Sequence, residues 1–390
     1  MSETALKHIE HLSITIGPRG TATPEEAAAH DYVADTFSGL GYSPQRDSFQ
    51  VYASAYPPFI LALSVMLAAF FLFYYLGGVG ALAAAALAAV VTVSAYFELS
   101  MQENPLRWVL PVAPSQNVYA VAPATAEAPQ KIVVAAHVDT HRTPLIWSSP
   151  GTFAAYRWLS LLGMAALPAG VVVFAVGIFA PSELLRQISV GLAVLYGLLW
   201  LVVVQAEFTE HTRGANDNAS GVGVLLALAE RLKREPLPNT EVWLLADTAE
   251  ETGAYGMRDF VARHKAELAG ATFLVVDNVA GEGTGPCTLR SETFLTTLRY
   301  SPDLLALADK VAAEHADLGA YSYDMRGVYT DGAIALKAGF KALAWVGYTK
   351  DGWIPLWHSP DDEFESLDKG ALERTEQMVW EVMRRLDSGA

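Results

Sequence analysis

Five separated residues, His137, Asp217, Glu251, Asp277 and His358, follow one another in the order a two-metal hydrolase needs, and Glu250 stands beside the third. Two imidazoles and three carboxylates make a mixed nitrogen and oxygen donor set. That set suits zinc, with cobalt or manganese as substitutes. In such a centre one carboxylate bridges two ions ~3.5–4 Å apart, and water activated between them attacks a carbonyl carbon.

Each position has a local setting. His137-Val138-Asp139 puts a carboxylate two residues beyond an imidazole, where it can hold the other ring nitrogen once the chain bends. Alone, that pair is weak. Asn216-Asp217-Asn218-Ala219-Ser220-Gly221 is a turn of small residues before a helical stretch. It serves equally as a helix cap at Asp217 or Asn218 or as a carboxylate with both oxygens free to bridge. Glu250 and Glu251 end an apolar run and precede Gly253 and Gly256. Adjacent side chains point apart, so Glu251 can bind metal while Glu250 takes a proton from water and passes it to a leaving amine. Asp277 closes Phe273-Leu274-Val275-Val276 and needs a partner there, a metal, a helix terminus or an arginine. His358 lies in a loop stiffened by Pro360, with Asp361 and Asp362 near enough to orient the ring. The remaining histidines, at 8, 11, 30, 141, 211, 264 and 315, read as surface or core residues.

Strands and helices must aim these groups. Strands are expected at 48–52, 117–121, 131–136, 241–246 and 272–276, and helices at 24–40, 223–232, 302–315 and 369–386. Alternation of the two predicts an α/β domain with a mostly parallel sheet core and sites at the carboxyl ends of strands.

The composition adds a second theme. Hydrophobic residues make up 52% and charged residues 17% of the 390, and mean hydropathy is +0.25. That is too apolar for an ordinary soluble enzyme and points to membrane segments. Residues 48–97 carry no charged side chain. Four apolar runs, 59–76, 79–97, 158–180 and 188–206, each reach roughly 27 Å or more along a helix, enough for the hydrocarbon core. They predict two transmembrane hairpins interrupting the α/β domain, which gives five segments: 1–57, 98–157 and 207–390 for the polar domain, 58–97 and 158–206 for the hairpins. Pro57-Pro58 and Tyr74-Tyr75 mark interface positions. Arg46, Arg107, Arg142, Arg157 and Arg213 outnumber Arg186 of the connecting turns, which places the polar parts in the cytoplasm by the positive-inside rule. The start of the chain shows no basic-then-apolar signal pattern. A net charge of -16 argues against nucleic acid as a partner, and a single cysteine, Cys287, suits a reducing compartment.

HVDT, NDNASG, AEETGAYG, VVDNVAG and WHSPDD, in that order, resemble the signature of the co-catalytic di-zinc aminopeptidases, the aminopeptidase Y and glutamate-carboxypeptidase-like group. The resemblance covers nearly all the polar sequence. It implies two zinc ions, with His137 and Asp277 on one, Glu251 and His358 on the other, and Asp217 bridging. It also implies Glu250 as general base, Asp139 as support for His137, and as fold a mixed, mostly parallel sheet sandwiched between helices. Three departures stand out. Trp357 replaces a tyrosine that commonly precedes the last histidine, and its indole N–H is an alternative donor to a carbonyl. Thr330-Asp331 is followed by Gly332 where relatives carry histidine. The two membrane hairpins fall between Tyr52 and Asn117 and between Asp139 and Asp217.

The function expected is a membrane-anchored, zinc-dependent exopeptidase, an aminopeptidase; the alternatives are a related carboxypeptidase or dipeptidase and a non-catalytic membrane scaffold. If strands near 49–52, 117–121 and 131–136 form an antiparallel meander, both hairpins leave from the edge that carries His137. The active site then faces the bilayer, with the transmembrane helices forming part of its rim. Apolar peptides derived from membrane segments are then expected substrates, beside the bilayer as partner.

Overall fold

The computed structural model describes residues 2–127 and 130–389. In chain order the elements are α1 (Ser2–Glu10), α2 (Pro24–Gly39), β1 (Gln45–Val51), α3 (Pro57–Leu99), β2 (Ala113–Ala122), β3 (Gln130–His137), α4 (Pro150–Phe179), α5 (Glu183–Glu207), α6 (Ala219–Arg234) and β4 (Thr240–Asp247). There follow α7 (Tyr255–His264), β5 (Thr272–Asp277), β6 (Cys287–Thr293), β7 (Thr297–Arg299), α8 (Pro302–Glu314), β8 (Tyr321–Arg326), α9 (Asp331–Lys337), β9 (Lys341–Val346) and α10 (Lys369–Ser388). The chain divides into two compact units. The first is made of residues 1–53, 112–142 and 211–390; the second of 54–111 and 143–210.

The first unit is built on one mixed sheet with strand order β1-β2-β4-β3-β5-β9-β6-β7, β8 pairing with β6. Its centre, β4-β3-β5-β9, is parallel. The pairs β1-β2, β2-β4, β6-β7 and β6-β9 are antiparallel. Central strands are buried on both faces, which is why they read as continuous apolar runs. Ile132, Val134, Ala136, Leu244, Leu274 and Val276 share one core with residues of α1, α2, α6, α8 and α10. Their neighbours Val133, Ala135, Trp243, Leu245, Phe273 and Val275 are equally buried and face the other way, because successive strand residues alternate. On that side α7 packs on β1 and β2, and α9 on β5, β7 and β9.

The expected antiparallel meander is corrected by β4. It lies between β2 and β3, antiparallel to the first and parallel to the second. A crossover through the 211–239 segment, with helix α6, brings the chain back for that parallel pairing. Strand direction survives the change. Val51 at the end of β1 pairs with Ala113 at the start of β2, and His137 at the end of β3 pairs with Asp247 at the end of β4. Chain ends that lead out of the first unit therefore lie at the sheet edge where the parallel strands finish. Strands β6 to β9 and the helices α1, α7 and α9 were not anticipated.

In the second unit, three helices among the described residues are long and apolar enough to cross a membrane: α3, α4 and α5. Helix α3 is broken at Gly77, whose φ of 65° and ψ of -145° lie outside helical space. Gly80 sits directly against the Leu72 carbonyl, so the chain turns back on itself there. The two arms are each about 30 Å long. Met66, Phe70, Phe73, Ala81, Ala84, Phe174 and Tyr196 form the interior of this unit. Phe71, Leu82, Leu162, Leu198 and Leu201 point outward. An apolar exterior of this kind is what a lipid-facing bundle carries. Polar groups inside are paired: the Tyr196 hydroxyl donates to the Gly163 carbonyl at 2.9 Å and Trp200 Nε1 donates to Ser64 Oγ at 2.9 Å. Helix α4 begins at Pro150, ahead of the apolar run expected from 158, because Ser149 and Thr152 form a capping box.

Only glycine adopts the Gly77 geometry without strain. Gly77→Ala should lower the thermal unfolding midpoint in detergent, at a cost of about 1–3 kcal/mol. Were the helix continuous there, the same substitution would stabilise it by about 1 kcal/mol, so the sign of the shift decides.

Candidate metal centre

The site is assembled at the carboxyl ends of the central strands. His137 is the last residue of β3, Asp277 the last of β5, and Glu250 and Glu251 follow β4. Asp217 comes from the turn before α6, and His358 from the loop after β9. The structure brings all six to one place, together with Asp139.

The turn sequence Asn216-Asp217-Asn218 is explained by its neighbours. Asn218 caps α6, its Oδ1 accepting from Gly221 N at 2.9 Å, while its amide donates to the Val276 carbonyl at 3.0 Å. Asn216 accepts from Ala280 N at 2.8 Å and donates to Asn278 Oδ1 and the Pro355 carbonyl. The two asparagines thus fasten the turn to the β5 exit, and the carboxylate between them is left for the centre. Asp362, expected to orient the His358 ring, instead accepts from the backbone N–H of Asn216 at 2.6 Å and of Asp217 at 3.0 Å. The 358–362 loop curls back under the turn, so the acid supports the bridging candidate.

Asp217 divides its oxygens. Oδ1 is 3.4 Å from His137 Nε2, which is also 3.3 Å from Asp277 Oδ1. Oδ2 is 3.4 Å from His358 Nε2, which is 3.2 Å from Glu251 Oε2. Two ligands ~2.0–2.1 Å from one tetrahedral ion lie about 3.4 Å apart, so each half fits one zinc. Oδ2 of Asp217 and Oε1 of Glu251 are buried without a hydrogen-bond partner, as groups waiting for a cation would be. His137 Nδ1 lies 3.1 Å from the Asp139 carbonyl and 3.5 Å from its carboxylate. That carboxylate also accepts from Thr21 Oγ1 at 2.7 Å and Glu250 N at 3.3 Å. Asp139 therefore orients the ring and the Glu250 backbone together.

Electrostatics agree with this fit. Burial pushes Asp217 up to about 6 and Glu250 and Glu251 well above the carboxylate range, and the neighbouring acids push the same way. Burial alone would lower His137, but Asp139, Asp217 and Asp277 raise it well above its ordinary value. Asp362 is raised to about 8, chiefly by burial. Cations seated among these groups reverse the balance. The backbone is bent to deliver them: Ala249, Asn278 and His358 have φ of 55°, 57° and 52°. Each is a donor residue or adjoins one, which is where strain collects in functional sites.

Three further groups belong to the surroundings. His141, read from sequence as a surface or core residue, lies within 4.8 Å of Glu251 and His358 through their donor atoms. No spacing signal marks it; the contact is made across the fold. Trp357 tilts against His358, ring centroids 4.7 Å apart. The Tyr300 hydroxyl lies against Gly332, where a larger side chain would have to begin. It donates to buried Glu292, which also accepts from Thr330 N at 2.9 Å.

Arg19 holds the loops in register. It is fully buried. Its guanidinium donates to the carbonyls of Leu12, Gly17, Val138, Arg213 and Gly214 at 2.8–3.0 Å. Those carbonyls flank His137 on one side and Asp217 on the other.

With this geometry the comparisons with known proteins are informative. Residues 196–383 match the model of peptidase family M28, in keeping with the group that the five ordered motifs resemble. Aminopeptidase YwaD of Bacillus subtilis is 29% identical over 168 residues, which are 43% of this chain and 36% of that protein. The chain thus spans about a third of the curated relative it matches. Among solved structures, BSAP, a zinc aminopeptidase from Bacillus subtilis, superposes with a TM-score of 0.60 at 15% identity, covering 99% of this chain and 95% of its own. Glutaminyl cyclase from Porphyromonas gingivalis superposes with a TM-score of 0.59 at 16% identity, covering 99% and 98%. The two share the mixed α/β fold with this chain.

An ammonium cannot reproduce five guanidinium bonds spread over three segments. Arg19→Lys should destabilise the protein by about 3–5 kcal/mol in chemical denaturation and reduce the zinc retained on purification. Unchanged stability and zinc content would remove Arg19 from the support of the site.

Proposed function

We propose that this protein is a membrane-anchored, zinc-dependent exopeptidase, an aminopeptidase that removes N-terminal residues from peptides with two metal ions. The division of the two Asp217 oxygens between a His137/Asp277 group and a His358/Glu251 group carries this reading. His137 and Asp277 would hold one ion, His358 and Glu251 the other, and Asp217 both. Bound there, zinc polarises the amide carbonyl and makes water acidic at neutral pH.

The chain's own groups supply the proton traffic. Glu250 lies within the same cluster as His137 and Glu251. Its carboxylate takes the proton of the attacking water and delivers it to the nitrogen of the leaving amine. The Asp139 hydrogen bond to Glu250 N keeps that side chain beside His137. Trp357, packed on His358, offers its indole N–H as a donor to the carbonyl in place of the usual tyrosine.

The second unit is proposed as the anchor, with four spans: the two arms of α3, then α4 and α5. The arginines flanking these helices favour a cytoplasmic first unit. The polypeptide passes from the edge bearing the site into apolar helices, which favours apolar peptides released at the bilayer as substrates. The fold neighbours include glutaminyl cyclases, so the fold leaves the reaction open; a base beside two metal groups favours hydrolysis.

A peptide library with free or blocked amino ends, including N-terminal glutamine, tests the reading with and without chelator. Chelator-sensitive release of N-terminal residues from free ends is expected, fastest for apolar peptides. Release from the carboxyl end, cyclised glutamine, or no turnover of any peptide would each refute the aminopeptidase. In the same assay Glu250→Gln should retain metal and lose at least 100-fold in rate, roughly the share of a general base. Asp217→Asn should bind fewer ions by elemental analysis; two tightly held ions in that variant exclude bridging.

A further inference from the structure

His141 belongs to none of the ordered motifs, yet it is built into the centre. Its ring lies face to face with that of His358, with centroids 3.6 Å apart and planes 14° from parallel. It is buried, and its Nδ1 donates to the Arg142 carbonyl at 2.7 Å, which fixes the tautomer. Its backbone is fixed as well. The His141 carbonyl accepts from Thr212 N at 2.9 Å, and Arg142 forms a β-bridge with His211. The two chain segments on either side of residues 143–210 therefore clamp this ring.

A buried imidazole beside two metal donors invites assignment as a further ligand. The stacking speaks against it. The lone pair of an imidazole nitrogen lies in the ring plane, so rings in nearly parallel planes 3.6 Å apart direct their lone pairs side by side, not to a common point. What a stacked ring can do is stop its neighbour from turning. His358 needs that help, because it sits in a loop at a positive φ of 52°. A metal-bound imidazole is also electron-poor and stacks well on a neutral π face.

We propose that His141 is a positioning residue for one half of the metal centre: stacked on His358, it fixes the plane in which Nε2 stands beside Asp217 Oδ2 and Glu251 Oε2. This rests on the two-metal reading. Residues that orient metal ligands without touching the ion typically change affinity by about 10–100-fold. His141 should act on one ion and spare the other, because His137 has its own support in Asp139.

The test uses the full-length protein, stripped with chelator and titrated with Co2+, followed by visible absorption and equilibrium dialysis. The wild type should take up two equivalents. His141→Ala should weaken one by about 10–100-fold and leave the other unchanged. His141→Phe, which keeps a flat ring without a nitrogen, should restore near wild-type binding. Equal loss in His141→Phe and His141→Ala would make the nitrogen a ligand and overturn the proposal. Wild-type titration of His141→Ala, or loss of both ions in either variant, would overturn it too. Failure of the wild type to bind cobalt would instead defeat the two-metal reading itself.

Discussion

Everything near the centre answers to one electrostatic problem. Asp217, Glu251 and Asp277 converge with two imidazoles in a buried volume, half-buried Glu250 lies beside them, and Asp139 and Asp362 stand directly behind. Carboxylates crowded away from water repel one another and lose hydration. Protonation relieves this in the absence of cations, and the raised values of Glu250 and Glu251 express that tendency. Divalent cations would relieve it better, turning mutual repulsion into shared attraction. The arrangement is therefore poorly suited to a role in which no cation ever binds.

The sheet solves the complementary problem of aim. Central strands end together at one edge, so His137, Asp277 and the Glu250-Glu251 loop begin from fixed points. Residues arriving from elsewhere are tied down individually. Asn216 and Asn218 fasten the Asp217 turn to the β5 exit, Asp362 holds its N–H groups, and Arg19 joins the loops by their carbonyls. None of these contacts touches a reacting atom, yet each limits how far a donor atom can drift. Misplacement of ~1 Å is enough to cost a large factor in rate.

The cluster of acidic and imidazole groups was legible in the sequence because metal chemistry needs particular side chains, and apolar runs ending in those side chains mark strand termini. Sequence reading reached β3, β4 and β5 for the same reason. It did not reach β6 or β8, whose burial does not alternate: residues of β6 are buried on both sides of Arg290, and β8 is half-buried along most of its length. The place of β4 between β2 and β3 was hidden too, since strand order is decided by helix crossovers and not by local pattern. The neighbours of His141 were not foreseen, and the role of Asp362 was misread, for a further reason. Their partners, His358 for one and the Asn216-Asp217 backbone for the other, are about 145 to 217 residues away, and no spacing rule spans such a distance. Helix α3 stands between these cases: its apolar length was plain, and Gly77-Gly78 marked the break, but only the backbone angles show where the chain reverses.

The bridge between Arg142 and His211 has a consequence for how the molecule is made. A ribosome delivers α1, α2 and β1 first, then the two arms of α3, then β2 and β3, then α4 and α5, long before β4, β5 and β9 exist. Early strands must wait, unpaired at their future centre, while the long apolar helices are already complete. Closing the ribbon at 142 and 211 brings the separated pieces within reach and shortens the effective loop left to close. Assembly of the first unit is thus a late event in biosynthesis, and synthesis of the apolar helices is an early one. A nascent chain halted before residue 211 would carry His137 and Asp139 but none of Asp217, Glu250, Glu251, Asp277 and His358, and so hold only a fragment of the site.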